Sequence, residues 1–184
     1  NLECEVCIIG GGLAGLSLAY QLAQQGQNFI LIESKKIGDC ASGINGGFCS
    51  PGWSVDSDTL LRQVGTENAK TFYNISIEGL NWVRSFRDRN GFESMDFKAG
   101  TVGLSLLKSE ADARADFLKR DFTFQKEYQF ISKKELINFV DSPAYQSGIL
   151  SKSGFSFNPL SFLIGLKSSI ESIQSNSIYE ESMM

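Results

Sequence analysis

The chain is 184 residues long, 42% hydrophobic and 21% charged, the proportions of a soluble globular protein with a sizeable core. Its net charge of −4, with Lys and Arg nowhere clustered, excludes a nucleic-acid footprint, and no apolar run approaches the roughly 18 residues of a transmembrane helix. Histidine is absent, which removes the commonest general base, the commonest zinc ligand and every Ser–His triad within this chain.

Taken in chain order, the first feature is Cys4-x-x-Cys7, in an extended apolar run where residues three apart point to opposite faces. With no second CxxC and no histidine, both are expected as strand-core thiols, and no metal site is expected. Together with Cys40 and Cys49 they fit a reducing, cytoplasmic setting. No signal peptide is expected. Val6–Ile9 predicts a buried strand ending in glycines, and Leu13–Gln25 a helix closed by Gly26. Phe29–Ile32 predicts a second buried strand, which completes a βαβ unit. A loop rich in Gly, Ser, Asn and Cys follows from Ser34 to Ser57. Apolar spacing from Asp58 to Arg89 predicts one long helix or two joined, ended by Asn90-Gly91. Glu93–Leu107 reads as strand, turn at Ala99-Gly100, strand. Ser109–Lys126 reads as a helix with Ser109 as its cap, and Phe130-Ile131 as a short strand. Ser132 to Glu135 has the spacing of a capping box for a helix reaching about Phe139. Gln146–Phe157 is strand-like with a glycine turn. Asn158-Pro159 opens a helix to about Ile173, and Ser177–Glu180 begins a last strand.

The junction of the first strand and helix carries Gly10-Gly11-Gly12-Leu13-Ala14-Gly15, a G-x-G-x-x-G turn. Gly10 permits the tight turn, Gly12 lets a pyrophosphate touch the backbone, and Gly15 lets the helix approach the sheet. The N–H groups of Leu13, Ala14 and Gly15 and the positive end of the helix dipole face the phosphates. Glu33, beside Ser34, ends the second strand 23 residues after Gly10 (33 − 10). A carboxylate there accepts ribose hydroxyls and repels a 2′-phosphate. In the loop beyond, Ser42 is expected to cap a short helix aimed at the pyrophosphate. Gly43, Asn45, Gly46 and Gly47 are expected to let backbone approach a flat ring system. Tyr73, Tyr145 and Lys98 read as packing or surface residues, and no catalytic residue is identified.

Gly10–Gly15, Glu33 and Ala41-Ser42-Gly43-x-Asn45-Gly46-Gly47, in this order and spacing, resemble the D-amino-acid-oxidase-type FAD-dependent oxidoreductases. The loop is most similar to the gamma-glutamylputrescine oxidase branch, with Ile44 where that branch carries Arg. Ser142-Pro143-x-Tyr145-x-x-Gly148, Asn158-Pro159-x-x-Phe162-x-x-Gly165-Leu166 and Ile178-Tyr179-Glu180 are similar to later segments of the family.

The resemblance implies an α/β protein: a Rossmann-type βαβ FAD-binding domain with part of an α+β substrate domain, in an incomplete chain. The expected divisions are 1–85 for the first part of the FAD domain, 86–157 for the partial substrate domain, and 158–184 for the return. It implies FAD as cofactor and oxidation of a C–N bond in an amine or amino acid, with hydride passing to the flavin. The alternatives are a dehydrogenase of a hydroxy acid or glycerol phosphate, or a nucleotide-binding fragment without turnover. The chain alone is expected to be inactive.

Overall fold

The computed structural model describes residues 3–55, 57–92, 95–120 and 127–183. They pack as two units, 1–47 with 87–96 and 157–184, and 48–86 with 97–156. The packing division after Gly47 lies ahead of the sequence-based division at 85, because residues 48–86 pack with 97–156.

The first unit is built on a parallel sheet ordered β1 (Val6–Ile9), β2 (Phe29–Ile32), β7 (Ile178–Tyr179). Val6 pairs with Phe29 and Ile9 with Ile32, and Leu31 pairs with Ile178. Side chains alternate across a strand, so Ile8, Phe29 and Leu31 share one face, and all three are buried. Helix α1 (Leu13–Gln24) and helix α4 (Pro159–Ile173) pack on each other, and Leu16, Ala19 and Ala23 of α1 and Leu163, Leu166 and Ile170 of α4 are buried. Gly26 follows α1 at φ 69°, the left-handed residue that ends it. Asn158 caps α4, its side chain accepting the Ser161 N–H at 3.0 Å, and Pro159 occupies the first turn.

The expectation of a fully buried first strand is corrected. Among the described residues β1 pairs only with β2, and its outward face leaves Cys7 exposed and Ile9 65% exposed. Cys7 is therefore no core thiol, and Cys4 precedes the strand; all four cysteines are free.

In the second unit β6 (Ser147–Ser156) is central. It pairs antiparallel with β4 (Lys98–Ser105) along one edge. Along the other it pairs with β5 (Tyr128–Ser132) and β3 (Phe48–Cys49). Ala99-Gly100 forms no hairpin turn: β4 runs on through it while the register against β6 shifts from Ala99↔Phe155 to Thr101↔Ser151, so the extra residues lie on β6, and Gly100 takes φ 82°. Of the first of those strands, residues 93–94 lie outside the described residues and residues 95–97 are not strand, β4 beginning at Lys98. Gln146–Phe157 likewise holds a single ten-residue strand without a turn.

Helix α2 (Ser57–Asn90) is two helices joined at Gly65, whose φ 76° and ψ 168° break the spiral. Helix α3 (Lys108–Arg120) contains Ser109 inside its first turn, so Ser109 is not its cap. The expected continuation to Lys126 lies outside the described residues. Ser132 and Glu135 do meet, Glu135 Oε2 accepting the Ser132 N–H at 2.9 Å and its hydroxyl at 2.6 Å. The helix they open is only a 3-10 turn, Glu135–Asn138.

Two polar anchors lie in this unit. Arg84 donates to the Ser153 carbonyl and lies 5.0 Å over the Phe155 ring. Glu127 accepts from the Ser151 hydroxyl at 2.8 Å and from the Ser153 N–H at 2.8 Å. Tyr73 is buried, Tyr145 half-buried and Lys98 exposed. Among the described residues no helix is long and apolar enough to cross a membrane, and no group of three or more His, Cys, Asp or Glu could hold a metal.

Candidate functional site

The glycine turn and the start of α1 form one surface of the first unit. Gly10 sits at φ 99°, a conformation that leaves only glycine unstrained, and its N–H bonds the Ile32 carbonyl at 2.8 Å. The turn is thereby held at the carboxyl ends of β1 and β2. A Cβ on Gly15 would run into the Gly10 carbonyl oxygen, with Ile8 Cγ2 3.4 Å away. This is the close helix–strand approach that the third glycine of the motif was expected to allow. Leu13 and Ala14 are exposed at the helix start. Among the described residues no protein acceptor meets the N–H groups of Gly12, Ala14 or Gly15. An unsatisfied helix N-terminus of this kind presents donors and positive dipole to an anion.

Glu33 closes the side of the turn. Its Oε2 accepts the Gly11 N–H at 2.6 Å, and its Oε1 accepts the Lys35 N–H at 2.9 Å and the Ser34 hydroxyl at 3.2 Å. The Lys35 N–H first, and the Gly11 N–H second, hold its carboxyl below the usual carboxylate range. A carboxylate has about four acceptor sites. Three are occupied, and the Ser34 hydroxyl is the longest of the three contacts.

The second glycine loop folds back on this turn. Ser42 caps no helix of its own, a correction to the sequence expectation; its Oγ accepts the Leu13 N–H at 3.1 Å and so caps α1. A Cβ on Gly12 would lie 3.0 Å from that oxygen. Gly43 leaves no room for a side chain against the Gly38 backbone. Asn45 is an internal brace: its amide donates to the Ala41 and Ser42 carbonyls at 3.0 and 2.9 Å and its oxygen accepts the Gly47 N–H at 2.8 Å. Gly46 is exposed. Gly47, at φ 67°, lies where a Cβ would meet the Phe157 carbonyl, and Phe157 N–H bonds the Gly47 carbonyl at 3.0 Å.

Three residues were not among the site residues expected from the sequence. Ile37 is buried and packs under Gly11, where a Cβ would come within 2.9 Å of its Cγ1. Its N–H donates to Glu180 Oε1 at 2.7 Å, and Glu180 Oε2 takes Lys167 Nζ at 2.5 Å. The partners lie 143 and 13 residues apart, so only the packed fold brings them together.

Comparison with known proteins agrees with this geometry. The profile of the family described as FAD dependent oxidoreductase matches residues 5–174. The probable oxidoreductase OrdL of Haemophilus influenzae is 29% identical over 89% of this chain and 38% of its own length. The gamma-glutamylputrescine oxidoreductase of Escherichia coli is 27% identical over 98% of this chain and 42% of its own. The chain thus spans about two fifths of these curated relatives. Among solved structures, glycine oxidase from Geobacillus kaustophilus superposes with a TM-score of 0.76 at 16% identity, covering 97% of this chain and 46% of that one. The FAD-bound L-alpha-glycerophosphate oxidase of Mycoplasma pneumoniae superposes with a TM-score of 0.73 at 19% identity, covering 98% and 45%.

Proposed function

The chain belongs to the FAD dependent oxidoreductase family, and from that premise we propose that it forms the ADP-binding part of an enzyme that oxidises a C–N bond of an amine or amino acid. When bound, FAD supplies the acceptor for a hydride from the substrate carbon. The chain's own residues bind and orient. The N–H groups of Gly12, Ala14 and Gly15 at the head of α1 hold the pyrophosphate, whereas the Leu13 N–H, expected from the sequence to join them, is taken by the Ser42 hydroxyl. Glu33 accepts the ribose hydroxyls, with Ser34 yielding its place. Ser42 and Gly43 fix the second loop on the α1 head, while Asn45 and Gly47 hold that loop's exit so that Gly46 backbone faces the ring system. No residue of this chain is assigned a proton-transfer or substrate-binding role.

The observation that carries the reading is the Glu33 carboxylate, anchored 2.6 Å from the Gly11 N–H within the glycine turn of a chain of this family. The amine reading draws on the 27% identity to gamma-glutamylputrescine oxidoreductase. A second reading, oxidation of a hydroxy acid or glycerol phosphate, draws on the likeness to the glycerophosphate oxidase, which concerns the fold alone. The cytoplasmic setting and the inactivity of the 184-residue segment by itself belong to the same proposal. The test is an absorbance scan of the purified full-length protein, then a panel of amines, amino acids, hydroxy acids and glycerol phosphate. Flavin bands with turnover of amines support the reading. A colourless protein that binds NAD overturns it, and turnover of hydroxy acids alone moves it to the second.

A further inference from the structure

We infer that Lys167 and Glu180 are a positioning pair for the ribose end of the cofactor site, acting through the backbone of Ile37. The inference rests on the FAD reading above. Glu180 directly follows β7, and both of its carboxylate oxygens are engaged: Oε1 takes the Ile37 N–H at 2.7 Å and Oε2 takes Lys167 Nζ at 2.5 Å. The two side chains are only about a quarter exposed, 26% for Glu180 and 24% for Lys167. Burial pushes the Glu180 carboxyl up, but the bonds from Lys167 and Ile37 outweigh it and hold the group below the usual range.

Ile37 is 5% exposed and lies directly beneath Gly11. Gly11 in turn donates to Glu33 at 2.6 Å. An unbroken series of contacts therefore runs from α4 through Lys167, Glu180, Ile37 and Gly11 to the carboxylate that meets the ribose. The Lys36 charge also attracts the Glu180 carboxylate, and the remaining ties between these segments are backbone to backbone: Glu33 N–H to the Tyr179 carbonyl at 2.9 Å, Glu181 N–H to the Lys35 carbonyl at 3.2 Å and Ser182 N–H to the Glu33 carbonyl at 2.9 Å. They survive any change of the Glu180 side chain. Loss of that side chain thus releases the turn around Ile37 while the strand pairing stays. The lysine fixes the carboxylate so that its other oxygen faces Ile37. A simple ion pair tying α4 to β7 would need only opposite charges, whereas positioning needs an acceptor at residue 180.

The experiment separates the two roles in the full-length protein. FAD and ADP are titrated into the apoprotein forms of wild type, Glu180→Ala, Glu180→Gln and the reversal Lys167→Glu/Glu180→Lys, with unfolding midpoints measured alongside. Glu180→Ala is expected to weaken both ligands about tenfold, the loss of one charge-assisted hydrogen bond. Glu180→Gln keeps an acceptor for Ile37 and is expected to recover most of that loss. The reversal is expected to recover the midpoint only in part, since Lys36 then faces a like charge, and none of the affinity, since a lysine cannot accept an N–H. Should Glu180→Ala fail to fold, the Gln variant and the reversal carry the comparison. A reversal that restores affinity together with stability, or a Glu180→Ala protein that binds FAD like wild type, overturns the inference and leaves the FAD reading standing. A wild type that binds no FAD removes both.

Discussion

A valine at position 12 meets Ser42 before it meets any cofactor. The Cβ alone lies 3.0 Å from the Ser42 oxygen that caps α1, and a branched side chain pushes that oxygen off the Leu13 N–H. Gly12→Val in the full-length protein is expected to lose flavin, read as the ratio of flavin to protein absorbance. Loss of the cap lowers stability by about 0.5–2 kcal/mol. A variant that still purifies yellow would place the phosphates elsewhere. Acid should act on the same corner of the molecule. The carboxyls of Glu33 and Glu180 lie below their ordinary value of 4.5 in the fold. Their stabilisation is therefore fully present above that value and is lost as pH falls through the lower native values. The unfolding midpoint of the wild type should be flat from about pH 7 to 5 and fall below 4.5, and Glu33→Ala with Glu180→Ala should flatten the fall. A double variant with an unchanged acid limb would assign the loss to other carboxyls. In the second unit, Ser105 and Ser147 face each other across β4 and β6, fully buried, and neither hydroxyl has a protein partner among the described residues. Replacing both with Ala should leave stability unchanged or raise it by about 1 kcal/mol, by removing unsatisfied donors. A clear loss in chemical denaturation would mean those hydroxyls are bonded.

Helix α2 contains two glycines with opposite duties. Gly65 breaks it at φ 76° and ψ 168°, a region open essentially to glycine alone. Gly79 lies inside the helix with open space where a Cβ would stand. Gly65→Ala should cost about 1–3 kcal/mol, and Gly79→Ala should gain about 0.5–1 kcal/mol. Equal effects of the two in a denaturation series would show the break to be unnecessary. The same elements show what a sequence discloses. The β1–α1–β2 unit was legible because glycines punctuate both ends of an apolar helix pattern, and the Asn158-Pro159 cap was legible for the same local reason. Ala99-Gly100 was not, because a glycine in an apolar run marks a turn or an irregular strand pairing alike, and only pairing with β6 decides between them. Ser109 has the chemistry of a cap, yet α3 begins at Lys108. Ser42 was read as the cap of a short helix of its own, and its partner is instead the Leu13 N–H, 29 residues upstream, which no local pattern indicates.

At the scale of the whole molecule, cofactor type and fold class were legible because they depend on short-range spacing within the first 47 residues. The division into packing units was not. The long helix could join either unit by its apolar spacing, and its residues 57–86 fall in the unit that holds the antiparallel sheet while 87–90 fall in the other. Substrate choice is equally hidden, since the chain covers 38% and 42% of the two curated relatives compared above. Residues 1–184 expressed alone are expected to bind FAD more weakly than the full-length protein and to release no hydrogen peroxide with amines. Among the described residues β1 and β4 each pair along one side only, an arrangement that invites aggregation when nothing else covers the edge. Sustained turnover by a monodisperse 20.3 kDa species would contradict this. The most direct measurement is calorimetric titration of the full-length apoprotein, wild type and Glu33→Ala, with FAD, ADP and FMN. With the ADP half seated on the Gly10–Gly15 turn and its ribose on Glu33, wild type binds FAD and ADP far better than FMN. Glu33→Ala then weakens FAD and ADP alike, by at least about tenfold for one lost charged hydrogen bond. FMN binding as tightly as FAD, with Glu33→Ala indistinguishable from wild type, would contradict it.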